Sequence, residues 1–119
     1  LADAAKDKRA KLVESLLDRP EFADLWAMRW ADLLRVDRGP LGHQRAHLYY
    51  KWVRGAIATN KPFDAFAREL VTAEGPVAEV GPANFFKVMT KPGEVASTVS
   101  QVFLGVRITC AECHHHPFD

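Results

Sequence analysis

Prolines and glycines divide this sequence into segments that each have the length of a helix. Pro20, Pro62 and Pro92 precede apolar stretches, and proline is tolerated as a first helical residue because the amide there has no partner within the helix. The segment Arg38–Gly42 and the stretch from Gly75 to Asn84 contain further prolines and glycines and are typical of breaks. The chain is therefore limited to short secondary-structure elements between these breaks.

Apolar residues recur at helical spacing within these segments, which predicts amphipathic helices. The predicted helices cover about Asp3 to Asp18, Pro20 to about Val36, His43 to Thr59, Pro62 through Val71, and a last helix that Pro92 opens. No stretch alternates as a hairpin partner would, although β-branched residues make a strand an alternative from Val106 to Thr109. We predict an all-α fold, an irregular bundle of about five helices.

Two of these helices have predicted faces that matter below. The second is expected to bury an aromatic and aliphatic face, and the last a stripe of valines. The residues are Phe22, Leu25, Trp26, Trp30 and Leu33 in the second helix, and Val95, Val99, Val102 and Val106 in the last.

Size and charge exclude several classes of protein. The chain has 119 residues, enough for one domain over 1–119 and too few for two. Its formal net charge of +1 gives no basic excess to attract nucleic acid, so we expect no nucleic-acid partner. It contains no apolar run of eighteen residues or more, so no transmembrane segment is predicted.

Both cysteines of the chain lie in one short motif, Cys110-Ala111-Glu112-Cys113-His114. The C-x-x-C-H pattern is typical of covalent attachment of c-type haem. Two thiols at this spacing reach the two vinyl groups of one porphyrin, and the next residue provides an imidazole as the proximal ligand of the iron. If the last helix continues through the motif, Cys110 and Cys113 lie on its valine side and the haem occupies the buried face.

Other uses of the two thiols stay open at this point. Zinc would take Cys110, Cys113 and two of the three histidines that follow, but such sites usually draw their second pair of ligands from a distant segment. A redox dithiol would be expected in a βαβ context, which this sequence lacks. An inert disulfide is the third alternative. The motif favours haem, with a zinc-stabilised interaction module as the next hypothesis.

A haem iron that carries electrons needs a second axial ligand, and the sequence offers weak candidates only. Met89 precedes the last helix and is one candidate, although a buried methionine more often fills a gap in the core. His43 and His47 lie one helical turn apart and are the alternative. Without any of them the sixth position is open, as in a haem enzyme or a gas-binding domain.

Several segments resemble the planctomycete-type cytochrome c domain family, whose members are large secreted proteins of unassigned role. The specific part is the C-terminal decapeptide with its H-P-F-D ending, and further similar segments cover most of the chain. These segments are Leu12–Leu34 with Pro20, Trp26 and Trp30; Trp52-Val53; Asn60–Asp64; Asn84–Phe86; Gln101–Arg107; and Cys110–Asp119.

The resemblance implies one haem c bound through Cys110 and Cys113, with His114 as the iron ligand. It also implies export to the periplasm or the cell exterior, where c-type haem is attached. We expect an electron carrier rather than an enzyme, with a redox partner protein, other haem domains or copies of itself as partners. Because members of this family continue past the H-P-F-D segment, the chain is expected to be a piece of a longer protein.

Overall fold

The computed structural model describes residues 6–113, and within this range the chain is helical without strands. The described residues form six α-helices, joined by short turns except for the longer connection at 72–81. They are α1 (Lys8–Leu17), α2 (Pro20–Leu33), α3 (Arg38–Ala58), α4 (Phe63–Val71), α5 (Phe85–Val88) and α6 (Pro92–Val99). A 3₁₀ turn precedes α5 at Pro82–Asn84, a π-helical turn at Ser100–Leu104 extends α6, and a second 3₁₀ turn spans Thr109–Glu112. None of the described helices has the length and hydropathy that a membrane span requires.

The all-α prediction is confirmed, and the count of about five helices was one short. The additional helix is α5, which forms between the predicted break from Gly75 to Asn84 and the last helix. The helix α3 also begins earlier than predicted, at Arg38, and is interrupted at Gly42, whose φ of 72° lies in the left-handed region. The regular part of α3 therefore begins at His43, where the sequence placed its start.

The centre of the fold is the pair α2 and α3. The helix α2 buries Ala23, Ala27 and Ala31 and packs against α3, and Ala27 belongs to the same core cluster as Tyr49 and Val53. The predicted buried face of α2 was therefore wrong in part, because Leu25, Trp26 and Leu33 are about half exposed. Small residues on one helix allow its partner to approach closely, so the alanine stripe takes the central contact.

Aromatic rings connect this pair to the rest of the molecule. The ring of Phe66 in α4 stacks on Trp52 of α3 with ring centres 4.8 Å apart, and it meets Trp30 of α2 edge-on at 5.3 Å. Phe103, in the π-helical turn after α6, stacks on Trp30 at 6.0 Å. Such pairs each contribute roughly 0.5–1.5 kcal/mol beyond the area they bury. The cluster fixes α4 and the π-helical turn at Ser100–Leu104 against α2 and α3.

The segment from Gly75 to Asn84 is ordered by hydrogen bonds within it and packs closely against α3. The buried Asn84 side chain donates hydrogen bonds to the carbonyl oxygens of Val77 at 2.9 Å and Gly81 at 3.1 Å. A Cβ atom on Gly81 would lie 2.8 Å from the Cβ of Trp52, so only glycine fits at this approach to α3. The position of α5, which follows directly, is set by this segment.

Candidate functional site

The segment that carries the two cysteines leaves α6 through a sharp reversal. After the π-helical turn, Gly105 adopts a φ of 71°, and the chain doubles back. The reversal is closed by two hydrogen bonds: the Ser100 hydroxyl donates to the Val106 carbonyl at 2.9 Å, and the Val106 amide donates to the Ser100 carbonyl at 3.2 Å. The last helix therefore does not continue through the motif, so the condition under which Cys110 and Cys113 would lie on its valine side is not met.

The valine stripe ends with the helix. Val95, Val99 and Val102 are half buried and pack against the core, as predicted, but Val106 is 51 % exposed because it lies beyond the reversal. A glycine in the left-handed conformation is a common helix stop. Gly105 is the signal in the sequence for this stop. The predicted valine stripe ran past it because the regular spacing of the valines continues to Val106.

The cysteines lie on a single turn that is docked on the side of α6. We call residues 109–113 the attachment turn. The hydroxyl groups of Thr109 and Ser97 share a hydrogen bond of 2.6 Å. At the other end, the carboxylate of Glu112 approaches the start of α6 so closely that a Cβ atom on Gly93 would lie 3.2 Å from its Oε1 atom. The turn is thus bonded to α6 before Cys110 and lies against the start of α6 after it.

The two thiols are free and accessible. Cys110 and Cys113 are both exposed and form no disulfide. They lie three positions apart on a tight turn, in which the Cys113 amide approaches the Cys110 carbonyl oxygen at 3.4 Å. Covalent attachment of a porphyrin through its two vinyl groups requires two accessible thiols close together. The described residues supply two exposed thiols on one turn and therefore fit covalent haem. His114, the predicted proximal ligand, and His115 and His116 lie outside the described residues.

An open apolar cavity of about 600 Å³ lies on the neighbouring face of α6. Its walls come from the end of α4, from α5 with the residues after it, and from α6. The lining residues are Val71, Phe86, Met89, Thr90, Lys91, Pro92, Val95, Ala96 and Val99. Sequence reasoning selected Met89 but missed this cavity, because its walls come from three separate segments.

Met89 lies in the wall of this cavity, just after α5. Its side chain is 2 % exposed and belongs to the hydrophobic core, and its amide donates to the Phe85 carbonyl at 3.1 Å. Ala96 connects the cavity to the attachment turn, because it also lines the shallow groove between α6 and the turn.

His43 and His47 are placed together but elsewhere. Both are exposed on α3 and line a cavity of about 200 Å³ between α2 and α3, with Met28 and Tyr50 among their neighbours. No residue of α6 or of the attachment turn lines that cavity. The described residues contain no group of three or more His, Cys, Asp or Glu side chains suited to a metal ion.

A second open groove, of about 510 Å³, lies beside the aromatic cluster. Trp26 and Phe63 stand in its wall with 47 % and 53 % of their surface exposed, and Lys61 stands at its edge. Lys61 bonds to Glu69, whose other carboxylate oxygen accepts a hydrogen bond of 2.8 Å from the Trp52 indole. This network holds the groove's edge in place, and none of its residues belongs to the attachment turn.

Comparison with known proteins gives a family but no activity. No curated protein and no solved structure is significantly similar to the chain. A family model described as "PSCyt2: Protein of unknown function (DUF1549)" matches residues 1–119, the full length of the sequence. The chain therefore belongs to the PSCyt2 (DUF1549) family of proteins of unknown function.

Proposed function

We propose that this chain is a c-type cytochrome domain that carries one covalent haem on Cys110 and Cys113. The observation that carries the proposal is the pair of free, exposed thiols on one turn that is docked on α6. Each thiol would add across one vinyl group, so that a carbon–sulfur bond forms while the thiol hydrogen passes to the neighbouring vinyl carbon. The addition is redox-neutral and needs no further reactant.

The residues around the turn have positioning roles in this proposal. The Thr109–Ser97 hydrogen bond holds the start of the turn against α6, and Glu112 lies close to Gly93 at its end, so both thiols are carried on a turn that lies along α6. His114 follows Cys113 directly and is proposed as the proximal iron ligand. When bound, the haem supplies a one-electron couple, and we propose electron transfer to a redox partner outside the cytoplasm.

The proposal is tested by producing the chain in the periplasm of a bacterium that expresses the c-haem attachment machinery. The expected result is a pyridine haemochrome spectrum of the type given by thioether-linked haem, at one haem per chain. The matched control carries Cys110→Ser and Cys113→Ser, and is expected to yield colourless protein. Protein that is folded but free of covalent haem would contradict the proposal.

Zinc binding is the alternative use of the same two thiols, since thiolates are also preferred zinc ligands. The two outcomes are separated by elemental analysis of the purified chain. One iron and no zinc per chain is the expected composition, whereas one zinc per chain, lost in the double serine variant, would establish the zinc-stabilised module instead.

A further inference from the structure

The cavity beside α6 has the chemistry of a site for a large apolar ligand. Apart from Thr90 and Lys91, its lining residues are apolar, and its volume is about 600 Å³. Water in such a space has few polar partners, so binding sites of this size and lining favour apolar molecules. Lys91 is exposed in the wall and adds one cation, which suits a ligand that carries carboxylates at its edge.

Met89 has an unusual place for a methionine of the core. A gap-filling methionine packs so that no space remains beside it, because its flexible chain adapts to irregular holes. Met89 is 2 % exposed and packs within the core cluster, and it also lines the open cavity. A thioether is one of the two common second ligands of the iron in electron-carrying haem proteins. The residue therefore combines ligand chemistry with a place in the wall of an apolar space, and its buried thioether would turn toward that space to meet an iron.

The cavity and the attachment turn share α6. Pro92, Val95 and Val99 line the cavity on one face of the helix, whereas Gly93 and Ser97 meet the attachment turn on the next. Ala96 lines both openings and carries only a methyl group, so no bulky side chain separates them at this position. A flat molecule tethered to the turn therefore has an apolar space available on the adjacent face of the same helix.

Resting on the proposed function, we infer that this cavity receives the haem ring and that Met89 is the second axial ligand of its iron. The other candidates are less well placed. His43 and His47 line a cavity between α2 and α3 that shares no residue with α6 or the turn, and Met28 is 58 % exposed on α2. Lys91 is the residue of this chain that would pair with a haem propionate.

The test compares Met89→Leu with Met28→Leu, the same substitution at the only other methionine. For the unaltered chain we expect a low-spin spectrum that does not respond to carbon monoxide. Met89→Leu is expected to keep one covalent haem per chain while it loses the low-spin signature, binds carbon monoxide and shows a lower reduction potential. Met28→Leu is expected to match the unaltered chain in all three measurements.

A second variant protects the test against misfolding of Met89→Leu. Ala96 is exposed, so we expect the core to tolerate Ala96→Phe. The added ring would lie between the attachment turn and the cavity, since Ala96 lines both. This variant is expected to keep the haem attached and to lose the low-spin signature as well. Attached haem whose spectrum is unchanged in both variants would overturn the inference and leave the proposed function intact. Absence of attached haem in the unaltered chain would overturn both.

Discussion

At the residue scale, Glu69 joins α4 to α3 and makes a titratable contribution to stability. Burial alone would raise the pKa of its carboxyl group, but the hydrogen bonds from Lys61 and Trp52, together with the Lys61 charge, outweigh burial and hold the pKa below its ordinary value. A carboxyl group whose pKa falls on folding stabilises the folded state above its unfolded-state pKa, and this stabilisation disappears as the pH falls through the lowered value.

We therefore expect Glu69→Gln to lower the free energy of unfolding at pH 7, above the ordinary glutamate pKa of about 4.3, and to have little effect at a pH below the lowered pKa of the folded state. The loss is expected to stay below about 1 kcal/mol, because 41 % of the Glu69 side chain is exposed and solvent screens the ion pair. Urea unfolding at both pH values measures this, with the exposed Glu74→Gln as control. Equal effects of Glu69→Gln at both pH values would contradict the assignment.

At the element scale, α1 is a helix whose apolar side is left largely uncovered in the described part of the chain. Leu12, Val13, Leu16 and Leu17 have the spacing of an amphipathic helix, yet each is at least 46 % exposed and α1 has no buried residue. Periodicity along a sequence indicates which side of a helix is apolar, but it contains no information about what covers that side.

Substitutions on this side of α1 are therefore expected to cost little. Leu12→Gln with Leu16→Gln keeps helix propensity and should change the free energy of unfolding by less than about 0.5 kcal/mol. Leu34→Ala, at a fully buried position, should cost about 2–5 kcal/mol as the positive control. Chemical denaturation measures both. A loss above about 2 kcal/mol for the α1 pair would show that α1 packs within the folded chain.

Sequence reasoning placed the helices well because prolines and glycines mark their ends through local backbone chemistry. Pro20 and Pro92 begin α2 and α6, and the regular part of α3 begins at His43, as predicted. It failed where packing between elements decides the outcome. The alanine stripe of α2 displaced Trp26 from the core, and the reversal at Gly105 removed Cys110 from the valine side of the last helix.

The candidate site, too, could be predicted where local sequence decides and could not be predicted where packing between elements decides. The spacing of Cys110 and Cys113 was sufficient to predict two thiols presented together, because four consecutive residues cannot separate far. The cavity at Met89 could not be predicted, since its walls come from α4, α5 and α6, and their relative placement depends on the aromatic cluster around Phe66 and on the segment from Gly75 to Asn84 that precedes α5. Contacts between distant segments have no local signature in the sequence.

At the scale of the whole molecule, the fold is elongated. Its radius of gyration is 18.1 Å, whereas a compact chain of this length is expected near 13.5 Å. Exposed apolar side chains lie at both ends of the described range, on α1 and at Leu104, Val106 and Ile108 near the attachment turn. The central pair α2 and α3 with its aromatic cluster forms the main core, and the proposed haem site is built at its edge on α6.

The central claim is that this edge carries haem through two thioether bonds, and the intact mass of the chain tests it most directly. Protein made with the attachment machinery is denatured, reduced and weighed by mass spectrometry. The predicted result is the mass of the polypeptide plus one haem, with the added mass retained through denaturation and absent when Cys110 and Cys113 are both serine. The mass of the bare polypeptide, from folded protein made under the same conditions, would contradict the account.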